Sequence, residues 1–254
     1  MVLSDLFTSL MQIFFRPWIL LPMIIILLIS GAISITNSWA LEGPLNDFVL
    51  YYDTIPNDNL LGVMLANYPL EIASMIVFGF ILSIIGIIGM ISVSRMIKGD
   101  SFVDAINDSV GDWKKAGALT IVLWLYFIIF GFAFSAAFAL SSINETISLI
   151  FVAIFLIIAL VVLVKVAFIF PALIGKEPKK AIQETWKFTD KKFWGTVALI
   201  ISASFISLVG LVIISQIGVI VGGIFDVLLS IIGEAFGTTY FIAALTNYFY
   251  AKRK

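Results

Sequence analysis

The chain contains neither cysteine nor histidine among its 254 residues. Without cysteine there are no disulfides, thiolate ligands or thiolate nucleophiles. Without histidine there is no imidazole to bind a metal or haem, and no nucleophile–histidine pair. We therefore predict no catalytic residue, no metal site and no cofactor.

Charge is also scarce. Charged residues make up 12% of the chain and apolar residues 61%, whereas an ordinary soluble domain is about half apolar. Runs of roughly 20 apolar residues are long enough to cross about 30 Å of hydrocarbon as helices. We predict an all-α integral membrane protein, a six-transmembrane-helix bundle forming a single membrane domain over 1–254. The predicted spans are 17–37, 70–94, 116–140, 147–174, 193–214 and 230–251.

The apolar stretch 215–231 does not fit this scheme, because it is too long for a turn and too short to cross a membrane. We predict a re-entrant or interfacial helix there.

Basic residues are missing from the connections 38–69 and 141–146. Every lysine and arginine except Lys165 lies before the first span, between the second and third, between the fourth and fifth, or after the sixth. Because cytoplasmic loops are enriched in lysine and arginine, this pattern predicts a multi-pass cell-membrane protein with both termini in the cytoplasm. It also explains the basic residues without nucleic acid, which we do not expect as a partner.

A short two-faced segment precedes each odd-numbered span. When residues are placed at 100° intervals, the segments 5–16, 102–113 and 178–191 each separate an apolar arc from a polar one. The sequence AINDS in the second segment is similar to AIQET in the third. We predict three short cytoplasmic amphipathic helices. The simplest account is three repeats of one such helix and two spans, over 1–99, 100–175 and 176–254; chance similarity is the alternative.

The amphipathic helices have two interpretations. Their apolar faces, which include Trp113 and Trp186, can lie in the headgroup layer while nearby lysines meet anionic lipid. Alternatively, the acidic face of the second helix (Asp104, Asp108 and Asp112) pairs with the basic face of the third. Both interpretations concern structure and leave the function open.

Lys165 is the one basic residue inside a predicted span. It lies about ten residues from the cytoplasmic end of that span, which corresponds to a depth of about 15 Å. A charge at that depth costs about 3 kcal/mol or more, and no carboxylate is expected at the same level. We predict either that Lys165 binds an anionic headgroup, a substrate or a carboxylate partner, or that it is structural and satisfied by neighbouring polar groups.

Three carboxylates are predicted towards the outer ends of the spans, namely Glu71, Asp226 and Glu234. As a cluster they would relay protons or coordinate a cation. The alternative is that each one marks a span end that faces lipid headgroups.

Residues 165–194 read KVAFIFPALIGKEPKKAIQETWKFTDKKFW. This stretch resembles the six-span membrane domain found in some glycerophosphoryl diester phosphodiesterases and in related multi-pass membrane proteins of unknown function. That family has a basic residue late in one span, a Pro-Ala-Leu corner, an acidic residue, a helix of the form Ala-x-x-x-Ser-Trp-x-Leu-Thr, and a Phe-Trp pair at the next span. The matching positions are Lys165, Pro171, Ala172, Leu173, Glu177, Ala181, Thr185, Trp186, Phe188, Thr189, Phe193 and Trp194.

The match has three departures, because lysine replaces the usual arginine, Thr185 replaces serine and Phe188 replaces leucine. The resemblance implies a six-span helical domain with this cytoplasmic helix. Hydrolysis in that family belongs to a separate soluble domain, so the resemblance implies no catalytic residue here.

Three functions are compatible with these patterns. The first is a non-catalytic membrane protein that binds membrane lipid or another amphiphile, or that docks other membrane subunits. The second is a small transporter or permease component, suggested by the repeats and by a glycine-containing, discontinuous helix at 215–236. The third, and the least favoured, is a lipid-modifying membrane enzyme.

Overall fold

A computed structural model describes residues 2–33, 35, 66–140 and 144–252. All regular secondary structure in these residues is helical, which confirms the all-α prediction. The helices are α1 (Val2–Phe15), α2 (Pro17–Ile33), α3 (Pro69–Lys98), α4 (Phe102–Gly111), α5 (Trp113–Ala139), α6 (Glu145–Val166), α7 (Ile169–Leu173), α8 (Pro178–Val221) and α9 (Ile224–Lys252). The end of the first predicted span and most of the connection 38–69 lie outside the described residues.

Five of the described helices, α3, α5, α6, α8 and α9, are long and apolar enough to cross a membrane. A sixth span results if α1 and α2, which are bent by 100° relative to each other, count as one. These helices support the prediction of a membrane protein with up to six spans. We call the end of the bundle that carries α4, α7 and the lysine-rich segment 178–191 the basic end.

Each predicted amphipathic segment is separated from the following apolar helix by a break in the backbone. Arg16 (φ −135°, ψ 67°) stands between α1 and α2, and Asp112 (φ −83°, ψ 12°) stands between α4 and α5. Lys192 (φ −130°, ψ 23°) interrupts α8 between its amphipathic and apolar parts. Pro17 explains the first break, because proline disfavours a helical backbone in the residue before it and suits the first helical turn.

The prediction of a separate re-entrant or interfacial helix at 215–231 is wrong. α8 continues to Val221 and α9 begins at Ile224, with a tight turn at Gly222 and Gly223 between them. These two glycines have φ angles of 75° and 64°, which glycine adopts without the steric strain that a Cβ would cause. The last two spans are therefore longer than predicted and form one antiparallel hairpin.

The hairpin packs closely because glycines on one helix face the backbone of the other. A Cβ added to Gly218 would lie 3.1 Å from the Cα of Asp226, and one added to Gly233 would lie 3.1 Å from the carbonyl oxygen of Leu211. Gly237 stands four residues after Gly233. This small-xxx-small spacing lets helices approach each other closely in a membrane, so α8 and α9 form the best-packed pair of spans.

The largest buried cluster in the described residues joins α1, α3, α7, α8 and α9, together with Ala116 and Leu119 from the start of α5. Phe168, Leu199, Tyr240 and Phe249 are among its fully buried side chains. α5 and α6, by contrast, expose many large apolar side chains, such as Phe132. Such surfaces suit lipid tails, and they place α5 and α6 at the edge of the bundle.

Candidate functional site

Lys165 lies in the last turn of α6, because that helix ends at Val166. A turn at residues 167–168 separates α6 from α7, so the predicted span 147–174 is interrupted. Pro171 gives a physical reason: its ring clashes with the carbonyl four residues earlier, and its nitrogen cannot donate a helical hydrogen bond. The prediction that placed Lys165 about ten residues inside its helix is wrong.

The ammonium group of Lys165 has two partners on the amphipathic part of α8. It donates a hydrogen bond to the carboxylate of Asp190, and it lies 5.5 Å from the centre of the Trp186 ring. Asp190 and Trp186 are four residues apart and therefore share one face of the helix. The expectation that Lys165 has no carboxylate nearby is wrong, because the helix end brings it to the basic end of the bundle.

Segment 178–191 is docked onto the bundle by the residues that carry the family resemblance. Ala181, Thr185 and Thr189 are fully buried. Phe188 packs edge-on against Phe168, with 4.9 Å between ring centres. The carbonyl of Pro171 accepts a hydrogen bond of 2.8 Å from the hydroxyl of Tyr250. These contacts hold the segment against the basic end of the bundle.

The remaining positions of the resemblance, Glu177, Phe193 and Trp194, lie at the start of α8 and just after its break. Glu177 precedes the first turn of α8 without a capping hydrogen bond from its side chain, and Lys176 forms an ion pair with Glu184. Phe193 follows the break at Lys192, and Trp194 is 80% exposed. Trp194 therefore lies on the outer surface of the bundle, immediately after the backbone break.

A groove of about 330 Å³ opens between α5 and α6, and its lining is almost entirely apolar. Leu119 to Phe130 line one wall and Ala159 to Val166 line the other. At its basic end the groove meets Ile182 and Trp186 of α8. Along α5 it extends for about 16 Å at 1.5 Å per residue, and its volume falls in the usual range for small-ligand pockets.

Tyr126 carries the one hydroxyl among the side chains that line this groove. That hydroxyl is enclosed by protein atoms and has no hydrogen-bond partner in the described part of the chain. A buried hydroxyl without a partner costs about 1–3 kcal/mol. The sequence analysis missed Tyr126; the available signal was a single tyrosine about halfway along an apolar span.

The acidic face of α4 pairs with α3 and α5. Arg95 Nη1 lies 2.9 Å from Asp108 Oδ2, and Arg95 Nη2 lies 3.0 Å from Asp112 Oδ2. Lys115 lies 2.8 Å from the other oxygen of Asp112, and Asp104 takes part in the N-cap with Ser101. The alternative in which this face pairs with segment 178–191 is therefore wrong.

Two of the three predicted outer carboxylates lie at the end of the bundle opposite the basic end, and the third lies further along its helix. Glu71 and Asp226 occupy the first turns of α3 and α9, where the helix dipole stabilises negative charge. Glu234 follows Asp226 by eight residues, or about 12 Å along the helix. No group of three acidic, histidine or cysteine side chains in the described ranges is placed to hold a metal ion. The structure therefore does not bring the three together as a metal centre.

The chain matches no protein-family model, no curated protein and no solved structure. The resemblance of residues 165–194 to the membrane domain of certain phosphodiesterases therefore stays a prediction.

Proposed function

We propose that this chain is a non-catalytic membrane protein that binds an anionic lipid or similar amphiphile, with an apolar chain in the groove between α5 and α6 and the headgroup beside Lys165. The observation that carries the proposal is the continuity of the groove with the Lys165–Trp186 contact. One end of the site is apolar and the other is cationic, which is the polarity of an amphiphile.

The apolar part of the site suits a hydrocarbon chain. Its walls come from two helices that are otherwise loosely packed, so the groove can admit a chain from the surrounding lipid.

At the headgroup end of the site, the Lys165 ammonium is held by Asp190 and Trp186. The Lys165 ammonium carries three N–H donors, and one of them is used by Asp190. A phosphate or carboxylate oxygen can accept another, since charge-assisted hydrogen bonds of this kind are among the strongest in proteins. The indole of Trp186 is 42% exposed, and tryptophan favours the headgroup level of a membrane.

The same proposal includes orientation and repeats. Trp18, Trp113 and Trp194 each follow one of the three backbone breaks within two residues, and they are 50%, 55% and 80% exposed. Exposed tryptophans at three equivalent positions support a membrane boundary there, with the amphipathic segments and both termini on the cytoplasmic side. Ala105 and Ser109 are buried at the positions that correspond to Ala181 and Thr185, which supports the repeat.

Transport is the second function that the sequence suggested, on the basis of the repeats and of a discontinuous helix at 215–236. The second of these reasons is now weaker. The glycines in 215–236 form a close-packed hairpin with a tight turn, whereas transporter binding sites are typically formed by helices that are interrupted within the membrane. Docking of other membrane subunits remains a further proposal that no contact in the described residues favours.

Photo-crosslinking tests the proposal. Full-length protein in zwitterionic nanodiscs is irradiated with phosphatidic acid that carries a diazirine in one acyl chain. We expect crosslinks on 119–130 or 159–166, competed by unlabelled phosphatidic acid but not by diacylglycerol. Leu123→Trp fills the groove and should reduce the crosslink at least about tenfold. Ile129→Trp is the matched control, because Ile129 is 67% exposed and lies outside the groove.

Two results would contradict the proposal. One is a crosslink that unlabelled lipid does not compete, since that would reflect random contact with surrounding lipid. The other is equal labelling of both tryptophan variants and the unaltered protein.

A further inference from the structure

A second groove, of about 540 Å³, lies between α2, α8 and α9 and shares no lining residue with the α5–α6 groove. Leu27, Leu208, Leu211 and Phe241 form its apolar wall. Its polar atoms come from one carboxylate, that of Glu234, and from the hydroxyls of Ser204, Ser207 and Thr238. This combination of one acid, three hydroxyls and an apolar wall is not explained by the proposed function.

Glu234 is a carboxylate in a membrane-spanning helix without a counter-charge. It stands ten residues after Ile224, which is about 15 Å from that end of α9. Its side chain is exposed to the groove, and no hydrogen bond or ion pair joins it to another described residue. A charged side chain within the hydrocarbon costs a few kcal/mol and usually has a functional partner.

The chain itself has no cation to offer at this level. Its sequence contains no lysine or arginine between Lys192 and Lys252, in the first predicted span, or in 38–69. A second copy of the chain has the same distribution and could not supply one either. A ligand can supply the positive charge that complements Glu234.

The hydroxyls of the groove indicate what kind of cation fits. Ser204 is exposed and lines the same groove as Glu234. An ammonium group has several N–H donors, so it can pair with the Glu234 carboxylate and also donate to a hydroxyl. A hydrocarbon tail on the same molecule would pack along the leucines. We propose that this groove binds a lipophilic primary amine.

Binding of dodecylamine and dodecanol tests this proposal, because the two share a tail and differ in charge. Radiolabelled probe is titrated at neutral pH into full-length protein in nanodiscs of phosphatidylcholine, with empty nanodiscs subtracted. We expect saturable binding of the amine and at least about tenfold weaker binding of the alcohol, since a charge-assisted hydrogen bond is lost. Glu234→Gln should remove the preference for the amine.

Two further variants keep the test decisive. Glu71→Gln removes a carboxylate at the same end of the protein and should leave amine binding unchanged. Ser204→Ala is a milder change and should weaken amine binding by about threefold to tenfold. Equal binding of amine and alcohol, amine binding that does not saturate, or equal binding by Glu234→Gln and the unaltered protein would each overturn the proposal.

Discussion

α9 and α5 are both apolar helices long enough to cross a membrane. In the most apolar 18-residue stretch of each helix, however, 44% is buried inside the protein in α9 and only 6% in α5. α9 is also the least apolar of the five candidate spans. In water the most apolar helix would be the most buried. In lipid an apolar side chain gains little by leaving the hydrocarbon for a protein interior, so packing depends on small and polar residues.

The buried positions of α9 have those properties. Gly233, Ala235, Gly237, Ala243 and Ala244 are small and let neighbouring helices approach. α5 presents bulky phenylalanine, leucine and isoleucine side chains instead. The comparison separates a packed unit, made by α1, α3, α7, α8 and α9, from α6 and the part of α5 that follows Leu119, which lie at the edge of the bundle.

Gly233→Val should break the packed unit and have the largest effect. A Cβ at Gly233 meets the backbone of α8 at 3.1 Å, so the helices must separate. We expect the free energy of unfolding to fall by about 3 kcal/mol. Titration of detergent-solubilised protein with SDS, followed by tryptophan fluorescence, measures this change.

Gly131→Val is the matched control on α5, because a Cβ at Gly131 has no atom within 4 Å. We expect a change below about 0.5 kcal/mol there. Equal destabilisation by the two substitutions would mean that the contrast between α9 and α5 does not govern stability.

Asn247 tests the contribution of hydrogen bonds to the packing of α9. Its side-chain amide donates to Ser9 Oγ and to Gln12 Oε1, both at 2.8 Å, and so fastens α1 to α9. Asn247→Ala should cost about 1–2 kcal/mol and speed hydrogen exchange in α1 selectively. Exchange that rises equally in α1 and α5 would argue against a local attachment.

Ser83→Ala is its counterpart at the edge of the bundle. Ser83 accepts a hydrogen bond of 3.2 Å from the indole of Trp124, which links α3 to α5. Hydrogen bonds between membrane helices average about 0.6 kcal/mol, so we expect Ser83→Ala to have less effect than Asn247→Ala.

Much of the fold could be predicted because apolar length and charge placement are local properties. The backbone breaks at Arg16 and Lys192 fall next to the predicted starts of the first and fifth spans. The pairing of Lys165 with Asp190 was missed, because the sequence stays apolar after Val166 and no polar residue marks the helix end. Pro171 was the signal, but the predicted span 147–174 continued through it.

The hairpin turn and the grooves were missed for other reasons. Gly222 and Gly223 are adjacent glycines, which usually mark a turn. The turn was not predicted because the residues on both sides are apolar, whereas turns are usually flanked by polar residues. The environments of Tyr126 and Glu234 depend on which helices become neighbours. Hydropathy carries little information about helix neighbours, because lipid and protein interiors are similarly apolar.

Lys165→Met should lower stability less than Gly233→Val or Asn247→Ala. It removes an ion pair whose lysine side chain is 12% exposed and whose aspartate is 63% exposed, and exposed carboxylates gain little from pairing. We expect a loss of about 1 kcal/mol, measured by thermal unfolding. A double-mutant cycle with Asp190→Asn should give a coupling energy of about 0.5–1 kcal/mol, whereas Lys187→Met, on the exposed face of the same segment, should change stability little.

The same variant distinguishes a structural lysine from a binding one. If Lys165 also holds a headgroup, Lys165→Met should weaken competition by phosphatidic acid at the α5–α6 groove about tenfold, while Asp190→Asn, which frees the ammonium, should preserve or strengthen it. If the two variants instead lower lipid competition equally, the pair acts only by positioning segment 178–191. Loss of competition in Lys165→Met alone would require the ammonium itself at the mouth of the groove.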